Sequence, residues 1–406
     1  MTDTTKKAIS WADLPQEIAD LILREVVKEE KLRVLNAVIL SFVCHQWKGK
    51  DFIAKATIIP EPLPYQYEED EELPNKTTDL TAAAAQHGWF SLLKWLREMK
   101  CPWDPTTCNG AAIGGHLEIL KWAREKGCPW YEGVCFYAAQ AGKFEVLKWL
   151  REGGCPWDLH TCSGAAAGGH LDILKWAREQ GCPWNSDTLV SGAMRGHLEV
   201  VKWAKESGCP MSGDLSSYAA SAGHFHILKW ALENKCLDPT DVCVNAAGSG
   251  HLEILKWARE NGCPWDQTTC LIAAQRDHLE ILKWAREQGC NWDVRTCIAA
   301  AQRGHIHILE WARANGCPWD ESVLMKAAEE GQLETVKWAR ANGCPWSQKT
   351  FYSAMRRSQF EVMRWLLDNG APWHPAKCYC AAPNPDVEDW IQAELDKMQQ
   401  QEEHSS

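Results

Sequence analysis

The chain has 406 residues, 45% of them apolar and 24% charged, which predicts a folded, soluble protein and excludes a disordered one. Its 43 basic residues against 54 acidic ones leave a formal charge of −11, which argues against a general phosphate-binding surface and so against nucleic acid as a partner. No run of about 18 apolar residues is present to cross a membrane, and 24 Trp and 19 Cys beside only 8 Phe and 7 Tyr point to one copied segment.

Residues 1–9 are expected to form a flexible N-terminus. They lead into no apolar signal-peptide core, so the cysteines are expected to stay reduced in a cytoplasmic or nuclear, non-secreted protein. Residues 10–59 read as two or three amphipathic helices. Asp13 can cap the first, with Pro15 in its opening turn. Ile18, Leu21, Ile22 and Val26 make one apolar stripe, and Val34, Leu35, Val38, Ile39 and Phe42 make another. A bundle of about 50 residues is marginally stable by itself. Residues 60–78, with Pro60, Pro62 and Pro64 followed by the acidic run Glu68 to Glu72, read as an extended, solvated linker.

Residues 79–375 repeat. Trp recurs at 95, 122, 149 and onward to 365 in uninterrupted steps of 27 residues, giving eleven units. Nine further Trp follow Pro or Asn in the loop after this column, as in Cys155-Pro156-Trp157. Each unit predicts two short helices. Asp104 caps the first, with Pro105 at its first position, and Asp158, Asp266, Asp293 and Asp320 hold the same column. Asn185, Ser212 and Ser347 read as substitutes in that column. The first helix carries an Ala-Ala pair, such as Ala138-Ala139, that lets neighbouring backbones approach. Gly115 ends it. His116 begins the second helix, whose Leu117, Ile119, Leu120, Trp122 and Ala123 form a broad apolar face. Glu118, Lys121 and Glu125 remain outside. Gly127 suits a left-handed helix end, and Pro129 stops the chain from continuing as helix. One unit cannot bury its own apolar face, so units must stack into a solenoid. Residues 376–398 read as a degenerate, acidic C-terminal capping repeat and 399–406 as a frayed tail.

The unit Thr-Cys-x-x-Ala-Ala-x-x-Gly-His-Leu-Glu-Ile-Leu-Lys-Trp-Ala-Arg-Glu-x-Gly-Cys resembles the ankyrin repeat over residues 79–390. It departs from that family in its period, 27 residues against the usual 33 of ankyrin, and in carrying Trp and Cys in core columns. The missing residues fall where ankyrins form a projecting finger. The resemblance therefore implies an all-α, finger-poor, ankyrin-like solenoid of eleven to twelve two-helix repeats preceded by a small helical bundle. That N-terminal segment resembles an F-box: Leu14, Pro15, Glu17, Ile18, Val43, Cys44 and Trp47 match that family's opening and closing motifs, although the charged stretch Lys28 to Arg33 lengthens the middle. The resemblance implies docking onto a Skp1-type adaptor of a cullin-type ubiquitin ligase through Leu14, Pro15, Glu17, Ile18, Val43 and Trp47. The alternative for these helices is a plain cap on the first repeat of a scaffold or decoy.

Cys and His recur in ladders. A zinc site from Cys101, Cys108 and His116 is not expected, because no Cys-x-x-Cys pair occurs and the second Cys ladder is interrupted by Leu189, Ser216, Leu324 and Phe351. Those replacements indicate a buried apolar slot. The His column is expected to bond backbone at the helix turn. No catalytic motif is present, so neither an enzyme nor a cofactor is expected. Columns that vary between repeats are the ones left for a partner. The two positions before Gly-His offer Arg195, Arg276, Arg303, Arg356 and Arg357, with Tyr352 nearby. In ankyrin-like stacks this column lies near the concave face, which implies a groove for an acidic protein segment on a monomeric chain.

Overall fold

The computed structural model describes residues 76–98 and 100–405. The F-box-like segment, with Leu14, Pro15, Glu17, Ile18, Val43 and Trp47, and most of the 60–78 linker lie outside the described residues. Twenty-four α-helices and no strand are found among those described, so the fold is an all-α helical solenoid. The chain divides at Ser212 and Gly213 into two units, each a stack of helix pairs.

In the first unit the first helices of the repeats are α1 (Lys76–Gln86), α3 (Pro105–Gly114), α5 (Glu132–Gln140), α7 (Leu159–Gly168) and α9 (Ser186–Met194). The alternating second helices are α2 (Phe90–Glu98), α4 (Leu117–Glu125), α6 (Phe144–Glu152), α8 (Leu171–Glu179) and α10 (Leu198–Glu206). Lys76 to Thr78, expected as the end of the linker, already belong to the first helix. The second unit is seven helix pairs, from α11 (Asp214–Ser221) to α24 (Pro385–Ser405).

The first helices start where a capping side chain is available. Asp104, Asp158, Asn185, Asp266, Asp293, Asp320 and Ser347 each accept a hydrogen bond from a backbone N–H two residues on. α11 opens one residue later in this column, with Gly213 rather than Ser212 at the N-cap. Within each unit the first helices pack closely on their neighbours, more closely than the second helices do. Small residues permit this approach. A Cβ on Gly110 would collide with the carbonyl oxygen of Ala82, and Ala138, Ala139, Ala165 and Ala166 are fully buried. Leu189, Leu324 and Phe351 are also fully buried, so the second Cys ladder occupies an apolar slot.

The second helices α4, α8 and α10 each follow a Gly-His pair. Gly169 takes φ 78° at the helix end, a left-handed conformation that favours glycine. The second helix then buries a trio such as Ile173, Leu174 and Ala177. Each such Leu or Ile contributes roughly 1.5–3 kcal/mol by leaving water. Outside, Lys121 pairs with Glu118 at 3.0 Å, and Lys202 with Glu199 at 2.7 Å, in exposed i,i+3 contacts. Gly181 and its equivalents end the second helix at positive φ.

Among the described residues the tryptophans do not enter the fully buried core. Both Trp columns are half-buried and build a row along the loop side of each unit. Arg124 stacks over Trp130 at 4.3 Å, and the edge of Trp130 meets Trp149 of the next helix pair at 5.7 Å between ring centroids. The same triplet is formed by Arg151, Trp157 and Trp176, and by Arg286, Trp292 and Trp311. The guanidiniums also donate to backbone, as from Arg313 to the Cys317 carbonyl at 2.8 Å. An indole is too large for the closely spaced interior, and here its flat faces stack Arg and Trp at the surface.

The C-terminal helix closes the second unit. Val387 and Ile391 are buried, and Trp390 lies 6.2 Å from Phe360 between ring centroids. Glu394 is buried beneath Arg364 and Lys397, both of which bond its carboxylate. Burial alone would push that carboxyl up, but the bonds from the two cations outweigh it and hold it below its usual range. The helix continues through residues 399–405 to Ser405, where a frayed tail was expected.

Candidate partner-binding surface

The His ladder is consumed in stacking. His197 Nε2 lies 3.1 Å from the Ala167 carbonyl, His251 Nε2 3.1 Å from Ser221 and His305 Nε2 3.2 Å from Gln275. Each ring donates to a carbonyl at the end of the preceding first helix, one of those that helix geometry leaves without an intrahelical partner. Gln359 replaces the imidazole with an amide, donating to the Glu329 carbonyl at 3.5 Å. The ring also rests on the preceding glycine. A Cβ on Gly169 would stand 2.6 Å from His197 Nδ1.

The Cys ladders are consumed likewise. Cys182 Sγ donates to the Asp158 carbonyl at 3.3 Å and Cys209 Sγ to the Asn185 carbonyl at 3.2 Å. The loop thiol thereby ties the end of each repeat to the start of its first helix. Thiols of the two ladders also pair. The hydrogen bond that Cys135 donates to Cys155, followed by burial, pushes the Cys135 thiol up, and Cys162 responds in the same way by donating to Cys182. Burial pushes Cys344 to about 11. Thiolate, the reactive form, is therefore suppressed at these three thiols. Cys380 is exposed and Cys236 half-buried, whereas the other described thiols are buried. Among the described thiols, residue-resolved alkylation of the folded protein should modify Cys380 first and Cys236 next. Rapid labelling of Cys108 or Cys135 before unfolding would contradict this packing. Cys101, Cys108 and His116 do not converge, and among the described residues no group of three or more His, Cys, Asp or Glu side chains is placed to hold a metal ion.

The columns that remain free lie at the C-terminal ends of the first helices. Arg276 and Arg357 are C-cap residues of helices Gln267–Gln275 and Gln348–Arg356, Arg303 ends helix Val294–Arg303, and Arg356 is the last helical residue before Arg357. All four are exposed. Each sits where cations are favoured by the carbonyl end of the helix dipole. Arg195, the C-cap of α9, is also exposed and belongs to the first unit. Arg195, Arg276, Arg303 and Arg356 make no ion pair or side-chain hydrogen bond to the described residues. Arg357 faces Glu329 at 3.8 Å.

The row in the second unit is not uniformly basic. Glu329 bonds Lys326 at 2.6 Å, and this bond, with Arg357 and Arg356 nearby, holds its carboxyl below the usual range. Glu330 accepts from Gln302 at 3.1 Å. Asp277 takes φ 67° in place of the Gly-His glycine and lies 2.8 Å from His307. Tyr352 is half-buried, and burial together with the Cys378 thiol raises its hydroxyl pKa, so its polar end is turned toward the stack.

A feature absent from the sequence-based selection is an aromatic notch in the first unit around Tyr131, Phe136 and Tyr137. Its signal in the sequence is the replacement of the capping Asp by Tyr131 in that column. No protein-family model matches this chain, and no curated protein matches its sequence. No helix among the described residues is long and apolar enough to cross a membrane.

Proposed function

We propose that this chain is a non-enzymatic, ankyrin-like recognition protein that holds an acidic protein segment on its first-helix surface. Its F-box-like segment, in this reading, docks a Skp1-type adaptor and so presents the captured protein to a cullin-type ubiquitin ligase in the cytoplasm or nucleus. The observation that most supports recognition is a division of labour between columns. Residues common to the repeats, the His, Cys, Gly and Trp, are engaged in joining one helix pair to the next. The exposed helix ends differ from repeat to repeat and carry Arg276 and Arg303 without an ion pair or side-chain hydrogen bond among the described residues. A surface that varies on a uniform scaffold suits selective binding.

Two measurements test the two halves. Purified full-length chain should retain a Skp1-type adaptor, and Leu14→Ala with Pro15→Ala should weaken that binding by about tenfold or more. Absence of binding by the wild type, or no change in the double variant, would reduce the N-terminal helices to a solenoid cap. Separately, a fluorescent Glu-rich peptide should bind at low salt, and Arg276→Glu with Arg303→Glu should weaken it by about tenfold with the thermal midpoint unchanged. Equal affinity in that variant would remove the Arg row from the binding surface.

A further inference from the structure

The repeat that opens with Tyr131 breaks the pattern at a structural cost. Asp104 and Asp158, in the same column of the adjacent repeats, cap their helices through side-chain bonds, whereas Tyr131 occupies the N-cap of α5 and makes none. The ring is nonetheless held in place. Its hydroxyl accepts a hydrogen bond from Asn109 Nδ2 at 3.2 Å. It lies over Gly133, where a Cβ would stand 2.6 Å from the ring carbon Cε2. Phe136 and Tyr137 follow on the same helix, meeting edge to face at 5.1 Å. The adjacent repeats carry Gly110 and Gly164 in the column of Tyr137, and the missing Cβ of Gly164 lets its helix pack against Phe136. The result is an open cavity of about 380 Å³ lined by these three rings together with Glu132, Asp158 and His160. That volume lies within the range of small-ligand sites.

Three aromatic rings beside two carboxylates favour a cation. Elsewhere this fold supplies one itself: Arg97 lies 4.1 Å over Trp103, Arg178 4.2 Å over Trp184 and Arg340 4.1 Å over Trp346. Each of these guanidiniums also donates to a backbone oxygen, Arg97 to Cys101 at 2.7 Å. The notch offers ring faces and, in place of the backbone oxygen, carboxylate oxygens from Glu132 and from Asp158, whose Oδ1 caps its helix and whose Oδ2 lies 3.9 Å from His160 Nε2. Among the described residues no Lys or Arg lies over Tyr131, Phe136 or Tyr137.

We propose that this notch is a binding site for an arginine side chain presented by a partner protein. A planar guanidinium stacks on a ring and forks onto a carboxylate, which an ammonium does less well. The site uses neither the Arg row of the second unit nor the N-terminal segment, so it stands or falls apart from the function proposed above.

The test uses full-length chain labelled with 3-fluorotyrosine, the ¹⁹F signals of Tyr131 and Tyr137 being assigned from Tyr131→Phe and Tyr137→Phe. N-acetyl-arginine methylamide should shift both signals saturably in the millimolar range, with the lysine analogue weaker and the neutral citrulline analogue about tenfold weaker. Asp158→Asn should weaken arginine binding severalfold while keeping its helix capped, because Asn185 caps in the same column. Tyr131→Asp restores the capping residue and should raise the thermal midpoint while abolishing the shift at Tyr137. Absence of a saturable shift overturns the proposal, as does equal binding of citrulline. Equal binding of the lysine analogue overturns the assignment to arginine. An unchanged affinity in Asp158→Asn removes the carboxylate from the site and overturns the proposal as well.

Discussion

Gly169→Ala is expected to lower the unfolding free energy by about 3 kcal/mol, whereas Gly181→Ala should lower it by only about 1–1.5 kcal/mol. The two glycines have nearly the same backbone conformation, φ 78° and 79°, so the strain of placing an L side chain there is common to both. Their surroundings differ. Nothing lies within 4 Å of a Cβ on Gly181, while one on Gly169 would press on His197. Displacing that ring breaks its bond to the Ala167 carbonyl, which adds about 1 kcal/mol for the bond and more for a carbonyl left without a partner. Urea unfolding of both variants measures the difference as a shift in midpoint at constant slope. His197→Ala combined with Gly169→Ala should cost less than the sum of the two single changes, since the collision disappears with the ring. Equal losses in the two glycine variants would mean that the ring contact contributes nothing.

Trp130→Ala should cost a similar amount, about 3 kcal/mol, although Trp130 is not in the interior. Losing roughly 100 Å² of buried indole accounts for about 2.5 kcal/mol. The edge contact to Trp149 and the stacked Arg124 each add on the order of 0.5 kcal/mol. Arg124→Ala by itself should cost about 1 kcal/mol or less, and its coupling to Trp130 in a double-mutant cycle should persist in 0.5 M salt, because stacking is short-ranged. A loss below about 1 kcal/mol for Trp130→Ala would show that the row is surface decoration.

The repeat, the two helices, the Asp caps and the left-handed glycines are legible in the sequence because each is set by a residue and its near neighbours. Asp104 with Pro105 announces a helix start, and Gly115 its end, without reference to the rest of the chain. The partner of the His column is not legible in that way. His197 reaches back thirty residues to the Ala167 carbonyl, a pairing fixed only by the stacking register. Periodicity also assigns Trp122 to the apolar face but does not say how deep that face is. Close packing through Gly110 and the Ala pairs leaves no interior space for an indole, so Trp122 stays half-buried beside Trp103. Variability between repeats points to the candidate Arg residues and equally to Glu329 and Glu330 in the same columns. The contacts of Gln302 with Glu330 and of Arg357 with Glu329 emerge only when neighbouring repeats are brought side by side. Tyr131 was visible as an exception in the capping column, but its meaning depends on Asn109, Gly133 and Asp158, which come from different repeats.

The bonds between repeats share one further property, the constancy of their reach along the chain. The thiol of Cys182 meets an acceptor 24 residues back and that of Cys317 does the same, while His197 and His305 each reach back 30. Excising or duplicating one 27-residue block inside either unit would therefore present every donor with an acceptor of the same kind at the same interval. Recombination between copies in the coding sequence can change the number of repeats without opening a seam. Because no such bond reaches beyond an adjacent copy, lengthening the array adds no more distant contacts, and the search for native partners remains local at any length.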